Sequence, residues 1–122
     1  MAYDESNVFA RILRGEIPCR KVHEDEWALA FHDINPLAPV HVLVIPKGAY
    51  VSMADFTANA TTEEIAGFFR AVGKVAEQLG VAERGYRVLA NHGADAHQEV
   101  PHLHVHLFAG APLGPMLRKV GG

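Results

Sequence analysis

The sequence has a single cysteine, Cys19, among 122 residues. A lone cysteine closes no internal disulfide and completes no Cys-x-x-Cys metal or redox pair, so packing is the role it suggests. Cationic runs are missing too. Lysine and arginine total 11 against 14 acidic residues, a formal charge of −3, and none falls between Arg87 and Arg118. Nonspecific nucleic-acid binding needs several phosphate-neutralising cations on one surface, so nucleic acid is not an expected partner. No segment approaches the roughly 20 consecutive apolar residues that span a bilayer. "MAYDESNVF" has no basic stretch leading into an apolar one. Membrane association is therefore not expected, and the cytoplasm is the expected location. Repeats and low-complexity linkers are also lacking. With 49% hydrophobic residues, residues 1–122 read as one domain that can bury a core without staples.

Local patterns outline the elements. "SNVFARILRGEIP" predicts a short helix capped by Ser6 or Asn7, with Val8, Phe9, Ile12 and Leu13 on one face and Gly15 and Pro18 ending it. "KVHED" and "WALAFHDI" predict two strands joined at "EDE", and the two prolines of "NPLAP" make a loop. "VHVLVIP", closed by Pro46, is the strongest central strand. A long helix is expected over 62–79, opened by a Thr61/Glu64 capping box and stopped by Gly80. Gly67 and Gly73 each cost this helix about 1 kcal/mol relative to alanine. They suggest either close approach of another element, such as a partner subunit, or a tolerated defect in the helix. "YRVLAN" and "PHLHVHLF" predict the last two strands, with "HGADAHQ" a polar loop and "AGAPLGPML" an irregular tail. Strands that follow one another, rather than alternating with helices, indicate an α+β fold: an antiparallel sheet of about five strands with one long and one short helix.

The stretch "VPHLHVHLF" carries the chemistry. Residues i, i+2 and i+4 of a strand share a face. His102, His104 and His106 therefore line one face, and Leu103, Val105 and Leu107 the other. Five of the eight histidines lie between His92 and His106. Two chemistries fit such a row. One is a metal site, although the outer two histidines would be about 13 Å apart along a straight strand; a ligand would have to come from elsewhere, with His41 and Asp33 as candidates. The other is metal-free nucleotidyl transfer. Imidazole, with an ordinary pKa near 6.5, serves as nucleophile or proton donor in one pH range. Imidazoles and backbone N–H groups of "GADAHQEV" could hold the phosphate without Lys or Arg.

"HLHVHLF" resembles the signature of the histidine-triad (HIT) superfamily. "VFARILRGEIP", "AFHDINPLAPVHVLVIPK" and "GYRVLANHG" are similar to other segments of that family, and "PLGPML" to the ending of bacterial members of its Hint branch. The resemblance covers nearly the whole chain. It implies a HIT-like homodimer that hydrolyses or transfers purine nucleoside phosphoramidates, binding AMP or GMP, through a nucleotide carried on the middle histidine, His104. Other branches hydrolyse dinucleoside polyphosphates, and a non-catalytic nucleotide-binding dimer is the alternative from a different class. No cofactor and no metal are implied. His102 and His106 would support phosphate and move protons, with His41 behind them. Asp33, with Ile34 beside it, would take the ribose hydroxyls. Asn91, His97, Gln98, Glu99 and Val100 would contact the sugar and phosphate region. Val8, Phe9, Ile12, Phe31 and Leu43 would line the base pocket. Three departures bear on substrate preference: His97 stands where glycine is usual, Glu99 where many relatives carry Ser or Thr, and Ala109 and Ala111 replace Gly and Arg. His23, His32 and His92 are assigned to the surface or loops, and Trp27 to the core.

Overall fold

The computed structural model describes residues 2–121. The first helix, α1 (Val8–Leu13), starts at Asn7, whose side chain accepts the Ala10 N–H at 2.9 Å. Its apolar stripe is divided: Phe9 is buried, Ile12 and Leu13 are half-buried, and Val8 is exposed. Strands β1 (Lys21–Glu24), β2 (Ala28–His32) and β3 (Val40–Pro46) follow as an antiparallel meander. Helices α2 (Met53–Asn59) and α3 (Thr62–Gln78) come next, then β4 (Arg87–Ala90) and β5 (Val105–Ala109). The sheet order is β1-β2-β3-β5-β4, and every neighbouring pair is antiparallel. This is the expected α+β architecture with five strands.

Both faces of the sheet are covered, as the alternation requires. Ala28, Ala30, Val42, Val44, Val105 and Leu107 pack with Phe68, Ala71, Val72 and Val75 of α3. Leu29, Phe31, Leu43 and Ile45 pack with Phe9 of α1. The α3 capping box is complete: Glu64 N–H donates to Thr61 Oγ1, and Thr61 N–H donates to Glu64 Oε1.

Three details differ from the sequence reading. A third helix, α2, is present. It buries only Phe56, so it has no apolar stripe, but Ser52 caps it by accepting the Asp55 N–H. The last strand begins at Val105 and not at Pro101, because its partners run out. Val105 pairs with Val44 and Ala90, β4 ends at Ala90, and Pro46 has no N–H to offer. Residues 102 and 103 bond elsewhere: His102 N–H to Val100 O and Leu103 N–H to Tyr50 O. Finally, the close approach at Gly67 is internal, since an added Cβ would lie 2.2 Å from the Trp27 ring. At Gly73 such a Cβ would meet nothing within 4 Å among the described residues.

Candidate active site

Two cavities open on the α1 side of the sheet and share Phe9, Asp33, Asn35, Leu43, Glu99 and Val100. The larger, about 700 Å³, is mainly apolar. Val8, Ile12, Phe31 and Ile34 line it, as do Cys19 and two residues the sequence did not single out, Ile17 and Arg20; His32, assigned to the surface or loops, instead ends β2 half-buried and lines this cavity too. The smaller, about 500 Å³, is lined by His41, His104 and His106 with Asn91, His97 and Gln98, and by no Lys or Arg. An apolar chamber thus adjoins a histidine chamber, with Asp33 on the wall between them.

The histidines of the triad leave one face of the chain but do not share one environment. His104 and His106 face the smaller cavity, with ring centroids 5.0 Å apart. His102 is fully buried and lines neither cavity; the three rings do not stand side by side in one pocket. Its Nε2 lies 2.9 Å from Pro46 O and its Nδ1 lies 2.6 Å from the Tyr3 hydroxyl. A carbonyl only accepts, so Nε2 carries the hydrogen and the Tyr3 O–H donates to Nδ1.

The same bookkeeping assigns the other tautomers. His104 Nδ1 donates to His102 O at 2.7 Å, which leaves a bare lone pair on Nε2. Leu37 N–H donates to His41 Nδ1 at 3.1 Å, so the His41 hydrogen is on Nε2. That hydrogen reaches His106 Nδ1 at 3.0 Å, with Asp33 Oδ2 3.4 Å from the same Nε2. His106 therefore keeps its own hydrogen on Nε2. Burial disfavours the charged form of all four rings. It lowers the pKa of His102 to about 4, and that of His106 to about 4 with help from His104 and His41. Burial lowers His104 and His41 as well, against an opposing pull from Asp33.

Donor atoms of Asp33, His41 and His106 lie within 4.8 Å of one another, so among the described residues this trio could hold a metal ion. The 3.0 and 3.4 Å separations are close to the roughly 3.4 Å ligand–ligand edge of a tetrahedral zinc site with bonds near 2.1 Å.

The loop before the triad is stapled by Gln98. Its Nε2 donates to Val51 O and Val100 O, and its Oε1 accepts from His92 Nδ1 and Gly93 N. Gln98 thus shapes the cavity wall with its amide fully occupied. The N–H groups of His97 and Gln98 are spent on Ala94 O and Gly93 O, so neither is free to hold phosphate. His97 has φ +56°, the one left-handed non-glycine among the described residues, which is the conformation that favours glycine there. Its exposed Nε2 is 3.2 Å from Glu99 Oε1 at the cavity mouth. Ile34 is exposed at the rim of the larger cavity. His23 pairs with Asp25. Cys19 is half-buried, and burial raises its thiol pKa, which argues for packing rather than reactivity.

Comparison with known proteins places this geometry. Residues 14–113 match the HIT domain model. The chain is 72% identical over 117 residues to an uncharacterised HIT-like protein of Azospirillum brasilense, covering 96% of each. It is 41% identical to the purine nucleoside phosphoramidase of Escherichia coli, covering 96% of this chain and 98% of that one. Among solved structures, it resembles a HIT family hydrolase from Clostridium thermocellum with TM-score 0.85 and 43% identity, covering 94% and 99% of the two chains. A histidine triad protein from Clostridium difficile gives TM-score 0.84 at 39% identity, covering 95% and 100%. With five antiparallel strands, an intact His-x-His-x-His run and a family match across most of its length, the chain belongs to the HIT domain family.

Proposed function

We propose that the protein hydrolyses purine nucleoside phosphoramidates through a nucleotide bonded transiently to His104. The observation that carries this reading is the His104 tautomer: its hydrogen is committed to His102 O, and Nε2 presents a lone pair to the histidine cavity. The nucleoside would lie in the apolar cavity, with the Asp33 carboxylate accepting from the ribose hydroxyls. The α-phosphate would then sit before His104 and His106. His104 Nε2 attacks phosphorus and the P–N bond breaks. The amine leaves with a proton from the His97–Glu99 pair at the mouth. Water then displaces His104 from phosphorus and gives its proton to the His97–Glu99 pair, yielding the nucleoside monophosphate and restoring the free imidazole and the proton donor. Throughout, the His106 Nε2–H stabilises a phosphoryl oxygen, and His41 fixes it in that tautomer. The E. coli relative's name supports the substrate class.

Chelator-treated protein is expected to turn over adenosine 5′-phosphoramidate, and His104→Ala to lose that turnover. A second reading, a metal hydrolase, has the Asp33–His41–His106 trio in its favour. Stoichiometric zinc in purified protein, with turnover lost on its removal, would establish that reading instead.

We also propose a homodimer. Edge strand β4 has a free side, and Val88, Leu89, Tyr86 and the α3 residue Phe69 are exposed at 38–45%. Light scattering in solution that reports a monomer mass would refute it.

A further inference from the structure

We infer that Tyr3 is a positioning residue for the reaction at His104, acting through the buried ring and backbone of His102. This rests on the function proposed above. The phenol reaches across 99 residues of sequence to His102 Nδ1 at 2.6 Å, and the two rings meet edge to face with centroids 5.5 Å apart. His102 is fully buried, and among the described residues two groups satisfy its ring: Pro46 O takes the Nε2 hydrogen and Tyr3 supplies one to Nδ1. Removing the hydroxyl leaves a buried acceptor without a donor.

The consequence passes to the nucleophile through one atom. The His102 carbonyl receives the His104 Nδ1–H and so fixes which nitrogen of His104 is bare. This segment precedes β5 and lies outside the sheet ladder. His102 is therefore held by the Val100 and Pro46 carbonyls, by the Phe9 ring edge-on to it, by its chain neighbours and by Tyr3. The arm that carries Tyr3 is itself tied down. Asn7 N–H and Asn7 Nδ2 both donate to Asp4 O, and Asp4 Oδ1 accepts the backbone and hydroxyl groups of Ser6. Ala2 lines a small cavity together with Gln98, Glu99 and Pro101, so the arm borders the loop that walls the histidine cavity. Tyr3 itself lines neither cavity, so it supports the catalytic group without touching substrate.

Tyr3→Phe keeps the aromatic contact and deletes only the donor. Two readouts are needed. Long-range ¹H–¹⁵N correlation spectra of the imidazoles, taken on substrate-free protein, report each tautomer. The expectation is that His102 Nδ1 loses its hydrogen-bonded signature and that His104 no longer holds its hydrogen solely on Nδ1. With adenosine 5′-phosphoramidate, kcat should fall about fivefold, the value of one neutral hydrogen bond, with KM unchanged. An unaltered His104 tautomer, or an unaltered kcat in an active enzyme, overturns the inference. A wild type that turns over no phosphoramidate overturns the function proposed above, while the spectra still decide whether Tyr3 sets the His104 tautomer.

Discussion

His104 donates its Nδ1–H to the backbone carbonyl of His102, 2.7 Å away and two residues earlier in the chain. An imidazole held in this way presents the other nitrogen bare, which is the form a nucleophile needs. The neighbouring pair has the complementary arrangement: His41 gives its hydrogen to His106, and His106 keeps one on the opposite nitrogen. Under the proposed function one ring would attack and the other donate, and burial disfavours the charged form of both.

That division makes His41 a testable support. His41→Ala removes the donor to His106 Nδ1 and frees His106 to exchange tautomers. We expect kcat to fall about tenfold, the scale of an orphaned half-buried acceptor. Combined with His106→Ala, the second substitution should add little, because the pair acts as a unit. Steady-state kinetics on the two single variants and the double variant check this. Full additivity would contradict the coupling.

The two glycines of α3 separate internal packing from an open face. Gly67→Ala places a methyl 2.2 Å from Trp27, and we expect a loss of about 1–3 kcal/mol in urea unfolding. Gly73→Ala meets nothing within 4 Å and should stabilise the helix by about 1 kcal/mol. Equal effects at the two sites would contradict the packing described.

What could be read from the sequence was what is local. The period-two pattern put Leu103, Val105 and Leu107 into the core and the histidines on the opposite side. The Thr61/Glu64 box marked the start of α3. What could not be read depends on partners distant in sequence. Nothing near His102 says that Pro46 and Tyr3 enclose it, so its separation from the cavity was not visible. The same holds for Trp27 against Gly67. Helix α2 was missed for a different reason. Seven residues burying one side chain give no stripe, and its one local mark is the Ser52-x-x-Asp55 spacing. His32 and Arg20 of the apolar cavity carry no pattern at all; the β1–β2 pairing brings their segments together, with His32 N–H on Arg20 O.

Burial of neutral histidines predicts a pH dependence of stability. The ordinary imidazole pKa is 6.5, and His102 and His106 are lowered to about 4 in the fold. Between those values the unfolded chain binds protons that the native state refuses. Stability therefore falls as pH drops from about 6.5 to about 4. Below that, a further loss follows as Glu24, held at about 2 by Lys21 and Lys47, becomes protonated. Urea midpoints across this range should decline with acid, and His106→Asn should flatten the upper part of the curve. A flat wild-type profile from pH 7 to pH 4 would contradict the neutral, buried assignment.

The most direct measurement is to mix the protein with a phosphoramidate of adenosine monophosphate, quench in alkali within one turnover, digest, and locate any added mass. The account predicts one adenylate per chain, on the peptide containing "HLHVHLF" and on His104 itself. It predicts none in His104→Ala, on the order of 10⁴-fold or more slower in turnover. An active enzyme with no adduct at any quench time, or with the nucleotide on His102 or His106, would contradict it.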